Sequence, residues 1–207
     1  MSDLSPFWDR LADKYASKPI ADQSAYRTKL ARTHEYLRPD MELFEFGCGT
    51  GGTAIEHAPH VRHVHAIDFS EKMLAYARNN AAEAGVTNVT FERGDITAMS
   101  IQAASYDVVL GLSVLHLLTD RNAVIAKVHN ILKPGGLFVS STACLGDNMR
   151  AFSFIAPIGK WLGKLPHLDV MSHEELRRSV TQAGFSIEHD WRPNAAAAVF
   201  LIARKQN

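Results

Sequence analysis

The chain has 207 residues, of which 46% are apolar, 21% charged and 9% aromatic, with 22 basic against 22 acidic side chains. That length can bury a core without disulfides or a structural metal, and a formal net charge of zero withholds the broad field that a protein tracking nucleic acid uses to gather phosphates. Cys48 and Cys144 are too few for a secreted disulfide framework and complete no zinc-type spacing, and no apolar run approaches the roughly 20 residues that span a bilayer, so a cytoplasmic protein is expected.

Two helical patterns open the chain, at Phe7, Leu11 and Tyr15 and then at Tyr26, Leu30, Thr33 and Leu37, spaced by three or four. They predict a helical cap over residues 1–38. Pro39-Asp40 breaks the pattern, and residues 43–46 read as a short buried strand that ends at Gly47-Cys48-Gly49-Thr50-Gly51-Gly52, with a helix following to about Ala58. A second strand, 64–67, ends at Asp68, and Ser70 is placed to cap a helix built on Met73, Leu74 and Ala77 and closed by Gly85. The alternation continues with strands at 89–91 and 106–110, a helix over Val124, Ile125, Val128 and Leu132, a Pro134-Gly135-Gly136 turn and a strand at 137–140. Strand and helix alternating in this way predict an α/β fold with a doubly wound, mostly parallel sheet and helices on both faces. The end of the chain departs from that rhythm. Ser172-His173-Glu174-Glu175 is a capping box for a helix stopping at Gly184, and strands 185–191 and 199–203 lie too close together for a parallel crossover, which predicts an antiparallel C-terminal hairpin. A single domain over 1–207 is expected.

The loop after the first strand satisfies two patterns at once. Gly47, Gly49 and Gly52 fit G-x-G-x-x-G, the dinucleotide form, while Gly47, Gly49 and Gly51 fit G-x-G-x-G. Asp68, about twenty residues on, suits the ribose of either ligand. Three features separate the two. Glu45 would face a cationic amino-acid tail and repel a pyrophosphate. Asp95, in Arg93-Gly94-Asp95-Ile96, can accept from an adenine amine with Ile96 beside it. No tyrosine has a lysine four residues later, which removes the proton-relay pair of short-chain dehydrogenases. The balance moves from NAD(P) to S-adenosylmethionine.

At these residues the chain resembles the seven-stranded, class I S-adenosylmethionine-dependent methyltransferases. The resemblance runs through Phe44-Glu45-Phe46-Gly47-Cys48-Gly49-Thr50-Gly51, Ala66-Ile67-Asp68-Phe69-Ser70, Gly94-Asp95-Ile96, Tyr106-Asp107-Val108-Val109 and Leu132-Lys133-Pro134-Gly135-Gly136. The opening Phe7 to Tyr15 is similar to the leading helix of the small-molecule branch that includes quinone-biosynthesis enzymes. The resemblance implies seven strands, the last inserted antiparallel. It implies that Gly47, Cys48, Gly49, Thr50 and Gly51 hold the methionine moiety with Glu45, and that Asp68 holds the ribose. Asp95 and Ile96 would hold the adenine, Phe69 and Met73 would flank the adenosine, Leu112 would border the methionine end, and Tyr15 would close the cofactor from above.

A sulfonium methyl is already activated, so the protein mainly aligns the acceptor, excludes water and manages one proton. His116, in Gly111-Leu112-Ser113-Val114-Leu115-His116 beyond the fourth strand, is the candidate general base, set against a plain role capping or packing the next helix. The Asn/Asp-Pro-Pro-Tyr/Phe sequence of amino-methylating enzymes is missing there, as are the paired glutamates of protein-arginine methyltransferases. A small-molecule acceptor remains, without nucleic acid, with O, N, S or C as the methylated atom. Residues 144–171, with Phe152, Phe154, Ile155, Ile158, Trp161, Leu162 and Leu165, read as an apolar lid over a hydrophobic or thiol-bearing acceptor, as ordinary packing, or as a homodimer contact. His57, His60, His63 and His65 read as a solvated loop, with no metal expected. The rival functions are a nicotinamide-dependent oxidoreductase and a non-catalytic protein that binds S-adenosylmethionine.

Overall fold

The computed structural model describes residues 5–147 and 167–206. Among the described residues six α-helices, α1 (Ser5–Ala16), α2 (Gln23–His34), α3 (Gly52–His57), α4 (Glu71–Glu83), α5 (Arg121–Ile131) and α6 (His173–Gln182), accompany seven strands. These are β1 (Glu42–Phe46), β2 (His63–Asp68), β3 (Val89–Arg93), β4 (Tyr106–Leu112), β5 (Leu132–Thr142), β6 (Phe185–Trp191) and β7 (Val199–Lys205), in the order β3-β2-β1-β4-β5-β7-β6. β1 pairs in parallel with β2 and β4, and β2 with β3. β7 runs antiparallel to both β5 and β6. The expected mostly parallel seven-stranded sheet with an antiparallel C-terminal hairpin is therefore present.

Position in the sheet explains composition. Leu43, Phe44, Glu45 and Phe46 of the interior strand β1 are all buried, as a strand covered on both faces must be. So is the Val199 to Ala203 run of β7. The edge strands β3 and β6 bury few residues and carry charges.

Two compact units divide the contacts, one comprising residues up to Ser100 with 106–110, the other 101–105 with 111 onward. In the first, Ser70 caps α4 by accepting from the Met73 N–H, burying Met73, Leu74 and Ala77 as expected, and Gly85 follows at φ 67. In the second, both halves of the Ser172/Glu175 capping box form, and Gly184 follows α6 at φ 92.

Some boundaries differ from expectation. α2 ends at His34, three residues before Leu37. Leu132 opens β5 instead of closing α5, and Pro134-Gly135-Gly136 lies within that extended run, Gly135 taking φ 71. The α1 stripe is shallower than its spacing suggests, because Ala12 is buried while Tyr15 is 52% exposed. What holds α1 is polar. Asp9 accepts from the Ser70 hydroxyl at 2.5 Å, and Asp13 accepts from Lys72 Nζ at 2.7 Å and from the Tyr76 hydroxyl at 2.9 Å. Exposed ion pairs contribute little one by one, but three bonds to α4 fix the register of α1.

The histidines are not one solvated loop, although His60 is exposed as such a loop would be. His57 is 1% exposed, and its ring meets His34 edge-on at 5.0 Å while His60 stacks on His34 at 3.8 Å. His65 bonds the Tyr106 hydroxyl and Glu92, and His63 bonds Thr90. Helix packing brought His34 into the group, which sequence spacing could not show. Among the described residues no group of three or more His, Cys, Asp or Glu is arranged to hold a metal ion, and no helix is long and apolar enough to cross a membrane. Of the expected lid, 148–166 lie outside the described residues.

Candidate functional site

In the first unit the chain leaves β1 through three left-handed glycines, Gly47 at φ 68, Gly49 at φ 55 and Gly51 at φ 78. This is a conformation that costs an L-residue about 1–2 kcal/mol. Gly51 is also hemmed in. A Cβ there would stand 2.8 Å from Ala77 Cβ and 2.9 Å from Phe91 Cζ. Gly52 has neither constraint, since its φ is ordinary and a Cβ would meet nothing within 4 Å. The operative spacing is G-x-G-x-G.

Neighbouring elements pin the loop. The Cys48 N–H donates to the Ile67 carbonyl at 3.0 Å and Gly51 N–H to the Cys48 carbonyl at 3.0 Å. Asn80 of α4, which the sequence did not mark, donates to the Thr50 carbonyl at 2.9 Å. Asp68, at the tip of β2, accepts from the Gly49 N–H at 2.9 Å through Oδ2 and from the Ser70 N–H at 2.9 Å through Oδ1. Burial pushes its carboxyl above the ordinary range, and the backbone donors of Ser70, Gly49 and Phe69 oppose that. Asp68 therefore ties the first two strand tips together, whatever it offers a ribose. Asp68→Ala is expected to weaken S-adenosylhomocysteine by about 1.5–3 kcal/mol and to lower the melting temperature, because two backbone donors lose their acceptor. Calorimetric titration beside thermal unfolding checks both, and unchanged affinity with an intact fold would refute the assignment.

Glu45 is 2% exposed, and its Oε2 is buried with no hydrogen-bond partner among the described residues. Desolvation, and then the charge of Asp68, raise its carboxyl from 4.5 to about 8. An unpaired buried carboxyl oxygen beside a glycine cradle is a strong mark of a missing cationic partner. Tyr15 of α1 lies over the loop, its Cε1 at 3.6 Å from where a Gly49 Cβ would be, and although half the residue is exposed, shielding of its ring and then Asp68 and Glu45 raise its phenol. Cys48 is buried too, and its thiol is pushed up by desolvation and by Glu45 and Asp68, which makes it inert filler.

The adenosine side is less open than the resemblance implies. Asp95 is partly buried and spends Oδ1 on the Thr97 N–H and hydroxyl, both at 2.8 Å. Ile96 is 4% exposed and Met73 3%, so each offers a ligand little surface, while Phe69 is half-buried with its carbonyl accepting from Arg93 Nε at 3.2 Å.

In the second unit, Leu112 ends β4 and Ser113 takes a left-handed φ of 57 while its N–H donates to the Ser141 carbonyl at 2.7 Å. A strained non-glycine residue directly after a strand is the kind of feature that collects at functional sites. His116 follows on a 3-10 turn over Leu115–Leu117. It does not cap the next helix, because Asp120 does so by accepting from the Ala123 N–H. Its Nδ1 is buried without a partner among the described residues, and its carbonyl accepts from the Asp169 N–H at 2.8 Å. Asp169 is itself clamped by Arg121, whose Nε also reaches Ser179 at 3.3 Å. Burial holds the His116 imidazole below 6.5, against the pull of Asp169. Ser140 and Thr142 of β5 are fully buried with unpartnered hydroxyls among the described residues, and nearby Cys144 is 3% exposed. Those two hydroxyls carried no sequence signal, since Ser and Thr in a strand read as filler.

A family model described as a methyltransferase domain matches residues 37–189. The chain is 38% identical over 161 residues to a 27-O-demethylrifamycin SV methyltransferase of Amycolatopsis mediterranei, covering 73% of this chain and 56% of that protein. It is 26% identical over 186 residues to a ubiquinone biosynthesis O-methyltransferase of Paraburkholderia phymatum, covering 89% and 78%. Against the crystal structure of the [4+2]-cyclase SpnF it reaches a TM-score of 0.79 at 17% identity over 98% of this chain and 96% of that one, a likeness of fold. The chain spans about half the length of some curated relatives it matches, 54% of one and 56% of another.

Proposed function

The chain belongs to the methyltransferase-domain family, and from that premise we propose that it transfers a methyl group from S-adenosylmethionine to a hydroxyl of a small-molecule acceptor. The observation that carries the cofactor reading is the buried, unpartnered Oε2 of Glu45 beside three left-handed glycines. The amino group of the cofactor's methionine tail supplies the cation this oxygen lacks. A nicotinamide dinucleotide is disfavoured as a reading, because the third glycine its pattern needs, Gly52, is under no constraint, while Gly51 is.

Gly47, Cys48, Gly49, Thr50 and Gly51 would hold the methionine moiety by backbone, Asp68 the ribose, and Asp95 with Ile96 the adenine, flanked by Phe69 and Met73. Tyr15 would cover the tail, and Leu112 would border the methyl end. Bound there, S-adenosylmethionine supplies a methyl group already activated on a sulfonium. The chain's remaining tasks are to align an acceptor oxygen, keep water out and take up the acceptor's proton. His116 suits the last of these, since burial pushes its imidazole toward the neutral form and its Nδ1 has no partner among the described residues. An oxygen acceptor is supported by the names of the two relatives above, a ubiquinone biosynthesis O-methyltransferase and a 27-O-demethylrifamycin SV methyltransferase. A cytoplasmic location belongs to the same proposal and rests on Cys48 and Cys144 being free thiols.

Titration with S-adenosylhomocysteine beside NAD and NADP tests the cofactor: binding of the first alone supports it, and binding of a nicotinamide alone overturns it. For the base, His116→Ala is expected to lower turnover by about 100-fold or more while S-adenosylhomocysteine affinity stays within about twofold. Undiminished turnover across the pH range would remove His116 from that role.

A further inference from the structure

Little apolar contact holds α2 in the first unit, since Thr33 is its one buried residue. Imidazole rings take the place of a buried stripe. His34, the last residue of α2, meets the ring of His57, the last residue of α3, edge-on at 5.0 Å. His60, from the 3-10 turn Ala58–His60, stacks on His34 at 3.8 Å with the ring planes 30° apart. Asn88 fixes that turn by donating its side-chain amide to the carbonyls of Ala58 at 2.8 Å and Val61 at 3.2 Å, which keeps His60 against His34.

Two of these rings lack partners. His57 is 1% exposed and His34 half-buried, and Nδ1 of the first and Nε2 of the second are buried with no hydrogen-bond partner among the described residues. A neutral imidazole tolerates such a place, but an imidazolium brings a charge and a second N–H donor that need water or an acceptor. The titratable groups acting on the pair come from all three segments: His34 itself on α2, His57 and Glu56 on α3, and His60 on the turn. Only Glu56 among them favours a charged ring. Burial, then the neighbouring imidazoles, hold both below 6.5, His57 at about 3. The carboxyl end of a helix favours a cation, so His34 regains its demand for a proton once it leaves the cluster.

We infer that His34, His57 and His60 form an acid-released clasp: neutral, it holds α2 on α3, and proton uptake by His34 and His57 as α2 lifts frees the helical cap. The clasp does not depend on which cofactor binds. It bears on the site all the same, because α3 continues directly from Gly51 of the glycine loop.

Amide hydrogen exchange of the whole chain, without ligand and corrected for the intrinsic effect of pH, reads the opening. A histidine that refuses a proton when docked and takes it at 6.5 when free multiplies the opening constant by about ten between pH 7.5 and pH 5.5. His57 supplies one such factor and His34 part of a second, so protection of α2 should fall by about 10- to 100-fold. The buried Val199 to Ala203 run of β7 should stay better protected than α2 at both pH values, which marks the opening as local. His57→Phe keeps an aromatic ring in the cluster without a proton site and should remove about tenfold of the response; His34→Phe should remove less. Should His57→Phe melt early, His34→Phe and the wild-type profile carry the comparison. An α2 that keeps its protection at pH 5.5, one that opens only together with β7, or phenylalanine variants that respond as the wild type does, overturns the inference.

Discussion

Glu45→Gln is expected to weaken S-adenosylhomocysteine by about 100-fold, to abolish the pH dependence of its binding, and to make the unliganded protein more stable. The three effects share one cause. In the empty site the Glu45 carboxyl is raised from 4.5 to about 8 by desolvation and by Asp68, so at pH 7 it is mostly protonated. An ammonium arriving beside it favours the carboxylate, and a proton must leave. Affinity should therefore rise with pH by up to about tenfold per unit and flatten above pH 8, with close to one proton released at pH 7. Calorimetry in two buffers of different ionisation enthalpy reads that proton directly. With Gln the cation has no anion to meet, and loss of one partner of a buried charge pair costs on the order of 2–5 kcal/mol.

The stability effect has the opposite sign. The folded chain holds the Glu45 proton more tightly than the unfolded chain does, so this group's contribution is fully present below pH 4.5 and is lost as pH rises through about 8. Glu45→Gln removes that loss. Its melting temperature should exceed the wild type's by roughly 5 °C at pH 8 and by much less at pH 5. A variant that melts lower at pH 8 and binds S-adenosylhomocysteine as before would show that Glu45 is paired inside the fold instead of waiting for a ligand.

The same contrast between local and distant causes divides what the sequence could reveal. The strands, the Ser70 and Ser172 caps and the left-handed Gly85 and Gly184 were readable because each is decided within about four residues of chain. Glu45 was readable because a carboxylate inside an apolar strand is anomalous wherever the strand goes. Asn80 and the Asp9 and Asp13 latch were not. Their partners, the Thr50 carbonyl and residues Ser70, Lys72 and Tyr76, lie 30 to 63 positions away along the chain and meet them only once the elements have packed. Nor could spacing show that the buried His57 meets the ring of His34, because His63 and His65, near it in sequence, leave on β2 for other partners. Periodicity also overstated α1, whose apolar stripe is half-open and whose place is set by its own carboxylates, Asp9 and Asp13, bonded to Ser70, Lys72 and Tyr76 at the start of α4.

The two readings of the glycine loop make opposite claims about Gly51 and Gly52, and one pair of substitutions separates them. A dinucleotide loop needs its third glycine for close helix-to-strand packing, and under that pattern the sensitive residue would be Gly52. Here the packing glycine is Gly51, which has φ 78 and room for no Cβ against Ala77 and Phe91. The Phe91 ring can swing, but the Ala77 Cβ moves only with the backbone of α4. Gly51→Ala should then add the left-handed cost of about 1–2 kcal/mol to an overpacking cost of about 1–3 kcal/mol. That lowers the melting temperature by roughly 6–15 °C and spoils the cradle for S-adenosylhomocysteine. Gly52→Ala puts a better helix former in the first turn of α3 with open space around it, so it should leave affinity unchanged and raise stability by about 0.5–1 kcal/mol. Thermal unfolding of the two variants decides the matter. If Gly52→Ala is the damaging change and Gly51→Ala the harmless one, the loop follows the dinucleotide pattern, and the case for S-adenosylmethionine built on it fails.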